Sequence, residues 1–297
     1  MKLGSVTIDD TFAEAFGMRY TRVIITAHDA HWLAAAIQAF TGYATSVIAC
    51  DAEAGVENYL DSSQTPDGRV GANILLFGFS SDALGKAVTN RAGQCLMTCP
   101  STAVFSGLSG TETSLPLGKH LRFFGDGFQK SKQIAGRRYW RIPVMEGEFL
   151  IEESVGVERG VAGGNFILQA THLNTVLNAS RAAVEAISKV PGVITPFPGG
   201  VARSGSKVGS QYKTLRASTN ELLCPTLKGR VESQLHPDCT TALEVVIDGT
   251  TQAAVAEAMR VGMLAAAEHP ILAITAGNYG GKLGKFHFRL HEVLAST

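Results

Sequence analysis

Two groups of residues in this chain have the types and spacing to do chemistry. Residues 196–210 read PFPGGVARSGSKVGS, a stretch poor in core-forming side chains and rich in glycine, serine and cations. Pro196, Pro198, Gly199, Gly200, Gly205 and Gly209 deny it a regular helix, because proline lacks a backbone donor and glycine spreads over φ space. Such a loop lets backbone N–H groups approach a ligand. Arg203 and Lys207, set among Ser204 and Ser206, add the charges and hydroxyls that cradle a phosphate or carboxylate. The same composition also suits a glycine-rich turn carrying solvated charges. The second group centres on Glu244, a lone carboxylate in the apolar run ALEVVI at 242–247. A carboxylate there finds a partner, reaches solvent or stays protonated, and a raised pKa marks many functional sites. An edge-strand residue pointing outward is the plain alternative. Asn165 and Asn278 follow glycine in two similar turns, AGGNF at Ala162 and AGNYGG at Ala276, and Lys282 follows the second. Amides so placed pair with polar heterocycles or stabilise their own turns.

Other chemistries are disfavoured. There is no Walker A sequence, dinucleotide fingerprint or nucleophile elbow, and Ser206 stands where a P-loop needs glycine before lysine. The pairs His28 with His31 and His287 with His291 lack partners at metal-ligand spacing, so no metal site is expected. Cys95 and Cys99, in an expected strand, read as small buried hydrophobes. The five cysteines form no C-x-x-C pair and no signal-like segment opens the sequence, which predicts free thiols and a cytoplasmic protein. Lys and Arg (26) balance Asp and Glu (26), so neither nucleic acid nor an anionic membrane is expected as main partner. No apolar run approaches the roughly 18 residues of a membrane span. With 45% hydrophobic and 18% charged residues, the 297-residue chain is long and apolar enough for two packed lobes.

The elements that must position these residues follow from periodicity. Asp9 and Asp10 ahead of FAEAF predict a helix within residues 6–16. Strands are expected at 22–27, 46–50, 72–79 and 95–99, with helices at 30–40 and 82–90 between them. Residues 121–124, 139–144 and 148–151 read as an antiparallel β excursion. The plan then recurs, with a strand at 166–169, a helix at 173–190 and strand material ending at Phe197, then strands at 243–247, 271–275 and 285–294 and a helix at 251–267. The predicted fold is α+β: two ferredoxin-like lobes, each β-α-β-β-α-β, with boundaries at 1–155 and 156–297 and the β excursion in the first.

Several segments together carry a family resemblance: DTFAEAF at Asp10, TPDGR at Thr65, FFGDG at Phe123, GVAGGNF at Gly160, PFPGG with SGSKVGS, AMRVG at Ala258 and AGNYGGKLG at Ala276. In this order they resemble formylmethanofuran:tetrahydromethanopterin formyltransferases across nearly the whole chain. The resemblance implies formyl transfer between N5 of tetrahydromethanopterin, or its dephospho relative, and the amine of methanofuran or an analogue. These are carrier substrates; no metal and no tightly bound cofactor is implied. The family's catalytic glutamate falls on Glu244, and carrier contacts are expected from Asn165, Gly199, Gly200, Arg203, Ser204, Ser206, Lys207, Asn278 and Lys282. An oligomer with pterin bound at a subunit interface is also implied. Leu223 stands before CPT where archaeal members carry an aromatic residue, and the charge is neutral where many of those are acidic. The neutral balance resembles the formyltransferase subunit of the bacterial formyltransferase/hydrolase complex of methylotrophs, which serves formaldehyde oxidation to formate beside sister subunits. A non-catalytic structural or carrier-docking subunit of that complex is the alternative.

Overall fold

The structure, a computed structural model, describes residues 1–296. It is an α+β protein whose strands pair mostly antiparallel. Two compact units divide the chain: Met18–Arg159 form one, and Met1–Gly17 with Gly160–Thr297 the other.

In the unit of residues 18–159, the strand that ends at Thr26 leads into a helix, Ala30–Thr41, whose N-terminus is capped by Asp29 accepting from the N–H groups of His31 and Trp32. Strands Glu53–Leu60 and Gly71–Gly78, helix Ser81–Arg91 and strand Ala103–Ser106 follow. The sheet runs 53–60, 71–78, 18–26, 103–106, all antiparallel. A hairpin, Arg137–Val144 with Gly147–Glu152, and its neighbour Lys130–Ile134 extend it beyond Ala103–Ser106. Phe40, Ile74, Leu76, Leu84 and Val104 are among the side chains of its core.

The other unit repeats the plan. Strand Ser154–Ala170, which enters this unit at Gly160, is followed by helix Leu173–Ile187, strands Val193–Ile194 and Thr241–Gly249, helix Gln252–Ala267 and strand Ala273–Thr275. Here the order is 193–194, 241–249, 161–170, 273–275, again antiparallel, and Val6–Ile8 adds in parallel outside Ala273–Thr275. Side chains alternate over residues 242–247: Leu243, Val245 and Ile247 enter the core with Val176, Ala183, Val255 and Met259, which turns Ala242, Glu244 and Val246 to the opposite face. Gly262 lets the helix close on this core, since a methyl group there would lie 2.8 Å from Ile187 and 2.9 Å from Phe166.

Five expectations fail for physical reasons. Residues 6–16 are strands, Val6–Ile8 and the start of Phe12–Thr26, because Phe12 and Phe16 at a spacing of four satisfy period two as well as a helix, and pairing with Phe286–Arg289 decides for the strand. Residues 46–50 form a turn closed by Cys50 N–H donating to Ser46 O at 2.8 Å. Residues 95–99 continue the preceding helix through a π-helical segment, Ala92–Leu96, before the chain turns into Ala103–Ser106; the buried Arg91 holds that helix by donating to Phe40 O and Gly42 O at 2.6 and 2.8 Å. Residues 121–124 are helical, in Gly118–Leu121 and Arg122–Gly125, with the Arg122 guanidinium 4.4 Å over Phe123 and 4.8 Å over Trp140. At 285–294 the strand stops after Arg289 and a helix, Leu290–Ala295, follows.

Candidate functional site

Glu244 sits mid-strand with both backbone edges engaged: it pairs with Ile167 on one side and, on the other, exchanges hydrogen bonds of 2.8 and 3.0 Å with Ala202. It is therefore not an edge residue. The bridge to Ala202 draws the glycine-rich loop alongside the strand, so the two groups singled out in the sequence meet. Glu244 keeps part of its surface open yet lies deep within protein, and this burial pushes its carboxyl from 4.5 up to about 7. A sizeable fraction is then the neutral acid at neutral pH.

Across from it lies the turn that begins at Gly277. A methyl group on Gly277 would stand 3.6 Å from Glu244 Oε1 and 3.3 Å from Asn165 Oδ1, so carboxyl and amide face the same bare stretch of backbone. Asn165 binds that backbone on both sides: its Oδ1 accepts from Gly277 N–H at 2.7 Å, and its Nδ2 donates to Gly277 O and Gly163 O at 3.1 Å each. The β-bulge at Gly163, with φ +93, aims the asparagine there. The two segments that echo one another in sequence are thus bonded to each other. Asn278 donates to Thr11 Oγ1 and Phe12 O at 3.3 and 3.1 Å and accepts from Gly280 N–H at 3.0 Å. Both asparagine amides are engaged with the chain itself.

Two further residues belong here that the sequence reading did not pick out. Tyr279 lies within the electrostatic reach of two glutamates, its phenol pushed up by burial and then by the charges of Glu244 and Glu14. Glu14 is 1% exposed. Its Oε2 accepts from the N–H groups of Tyr279 and Gly281 at 2.7 and 2.9 Å, and its Oε1 from Leu283 at 2.6 Å and from Gly284. Burial alone would raise this carboxyl, but the four backbone donors together hold it below its usual range. A lone glutamate between Ala13 and Ala15 was the available signal, hidden by reading that stretch as a helix.

Along the loop, Gly199 and Gly200 form a turn at φ +63 and +77. Gly200 is packed so that a methyl group would meet Val184 at 2.7 Å and Thr195 Oγ1 at 2.8 Å, whereas Gly199 faces open space. Arg203, Ser204, Ser206 and Lys282 are exposed. Lys207 lies on a small hairpin, Ser206–Val208 with Ala217–Thr219, and its Nζ is 2.6 Å from Glu221 Oε1, which holds the Glu221 carboxyl low. An open cleft of about 660 Å³ lies here, lined by Lys207, Tyr212, Leu215 and Glu221 among others. By contrast Glu152 belongs to scaffold, bonded twice to Arg137 at 2.6 Å and accepting from Ser106 N–H at 2.8 Å. The thiols of Cys95 and Cys99 are pushed up by burial, away from the thiolate a nucleophile needs. Among the described residues no group of three or more His, Cys, Asp or Glu side chains is arranged for a metal ion, and no helix is long and apolar enough to cross a membrane.

Known proteins match this chain along its length. The model of the formylmethanofuran-tetrahydromethanopterin formyltransferase family matches residues 1–144, and that of its proximal lobe residues 147–293. A formylmethanofuran--tetrahydromethanopterin formyltransferase of Methylobacillus flagellatus is 56% identical over 99% of this chain and all of its own. Among solved structures, the formyltransferase/hydrolase complex of Methylorubrum extorquens, bound to methylofuran, contains a chain 48% identical, with a TM-score of 0.95 over 99% of this chain and 98% of that one. The formyltransferase of Methanosarcina barkeri is 45% identical, with a TM-score of 0.93 over 99% of this chain and 100% of that one.

Proposed function

This chain belongs to the formylmethanofuran-tetrahydromethanopterin formyltransferase family, and we propose that formyl passes in the recess between Glu244 and the Gly277 turn. The chain is a formyltransferase that moves a formyl group between N5 of a tetrahydromethanopterin-type carrier and the amine of methanofuran or an analogue. The observation that carries the placement is the deep carboxyl of Glu244, held near 7 in a site that remains open to a ligand.

The transfer is direct. The acceptor amine attacks the formyl carbon, the carbonyl oxygen takes up negative charge, and the tetrahedral species collapses with rupture of the bond to the donor nitrogen. Neutral Glu244 donates a hydrogen bond to the developing oxyanion, as a carboxylic acid kept protonated by an apolar surround can. By passing its proton to that oxygen it becomes the carboxylate that takes the proton the attacking nitrogen sheds; it delivers this proton to the leaving nitrogen and recovers its own from the oxygen as the carbonyl re-forms. Exclusion of water by the enclosing chain keeps formyl from being lost as formate.

Arg203, Lys207 and Lys282, with Ser204 and Ser206, hold the anionic appendages of the carriers, Lys207 exchanging its contact with Glu221 for the ligand. The turn at Gly199 and Gly200 fixes where that loop starts. Asn165 and Asn278 act through the backbone they bind, shaping the wall the carrier meets. In each unit the strand and helix order, with sheet order second, third, first, fourth, supports reading a ferredoxin-like lobe, the two meeting in sequence near residue 155. The likeness to a component of a formyltransferase/hydrolase complex supports an oligomer with sister subunits, in one-carbon oxidation.

The test is transfer from formyl-tetrahydromethanopterin to furfurylamine by the purified chain and two variants. Glu244→Ala is expected to lose about 10²–10³ in kcat. Glu244→Gln, which keeps a donor, loses roughly tenfold less. Full activity in both would remove Glu244 from the mechanism.

A further inference from the structure

We infer that Glu14 is a positioning residue for this reaction: its carboxylate fills a ring of four backbone N–H groups in the 279–284 turn and so holds that turn, with Gly277 at its start, beside Glu244. The inference rests on formyl transfer taking place beside Glu244.

The turn GNYGGKLG has little of its own to keep it in shape. Gly280 and Gly281 take φ +70 and +72, and these reversals turn the N–H groups of 279, 281, 283 and 284 towards one point. Four converging N–H donors form an anion-binding nest. Left empty it would bind a small anion or spring open; here a side chain of the same protein occupies it. The backbone of residue 14 grips the turn as well, its N–H donating to Gly277 O at 3.3 Å, and Asn278 ties the next residue to Thr11 and Phe12. The fit admits no bulk: a methyl group on Gly284 would lie 2.6 Å from Glu14 Cγ and 2.7 Å from Ala15 O.

At 1% exposure and with both oxygens bonded to the chain, Glu14 does not touch a carrier. It acts on the reaction through what it holds: Gly277 lines the recess of Glu244, and Tyr279 shares the electrostatic field of both glutamates. The two carboxyls therefore do opposite work: one is fixed in its ionised form by donors, the other is pushed towards its neutral form by burial.

The full chain with Glu14→Ala, Glu14→Gln and Gly284→Ala tests this by formyl transfer to furfurylamine and by hydrogen exchange of the 279–284 amides, each with and without acetate. Glu14→Ala should lower kcat by about a hundredfold through a misplaced turn, with KM changed far less. Acetate, entering the vacated nest, should recover much of that loss and restore amide protection. Glu14→Gln has one acceptor oxygen where two are needed and fills the space itself, so it should be slow and insensitive to acetate. Gly284→Ala should be slow in the same way. Wild-type kcat in Glu14→Ala, or a loss with turn protection unchanged, overturns the inference; so does a loss with no response to acetate in either readout. If Glu14→Ala does not fold, wild-type kcat and turn protection in Glu14→Gln overturn it, and their loss together supports it. Absence of formyl transfer in the wild type would instead sink the functional reading, while exchange with acetate still decides whether Glu14 holds the turn.

Discussion

A carboxyl held at about 7 when its ordinary value is 4.5 makes Glu244, the residue proposed for catalysis, a source of instability as well. The folded form binds the proton more tightly than the unfolded form. Its contribution to stability is therefore fully present below about pH 4.5 and is lost as pH rises through 7. Ionising the buried group costs roughly 3 kcal/mol by this difference. Glu244→Gln should accordingly raise stability by up to about that amount at pH 8, with the gain shrinking towards acid; urea unfolding at several pH values measures it. A gain independent of pH would mean that the carboxyl is not the cause. Glu14 has the opposite sign. Its lowered value supports the fold above the ordinary carboxylate range, and that support is lost as acid titrates it.

At the scale of elements, the loop at 196–210 divides into a packed part and an exposed part proposed to hold the carriers. Gly200→Ala adds a methyl group against Val184 and Thr195 at a positive φ, and should cost about 2–4 kcal/mol in denaturant unfolding. Lys207→Ala breaks a half-exposed ion pair and should change stability by less than about 1 kcal/mol while raising KM for the carriers. A change in kcat without KM would place Lys207 in the chemistry instead. Elements with one unambiguous period were legible: the 252–267 helix and the 241–249 strand follow from side-chain spacing, and Glu244 stood out because its strand was recognised. Residues 10–16 were not, since FAEAF fits both periods and only Phe286–Arg289 and the 279–284 turn, far along the chain, decide between them. Glu14 was missed with its strand. The asparagines were found by their glycine turns, but that their amides would close on Gly277 and Phe12 is a fact of tertiary contact that no local pattern carries.

For the molecule as a whole, the reaction exchanges one formamide for another, so the protein lowers a barrier that is crossed both ways. Assays started from either formylated carrier should reach the same ratio of products, and Glu244→Gln should slow both approaches by one factor. A variant that moved the final ratio would show that formyl is leaving the exchange by hydrolysis. The grip of Glu14 on its turn spans 265 to 270 residues of sequence. During synthesis at about 5–20 residues per second, that carboxylate waits roughly 10–50 s for its donors to be made. From about halfway through that time residues 18–159 have what they need to collapse, while the recess beside Glu244 still lacks the wall that the 277–284 turn supplies. A chain cut short before Gly284 would leave Glu14 without a full set of donors. The recess in this sense is assembled only after some 270 further residues have followed the carboxylate that holds its turn.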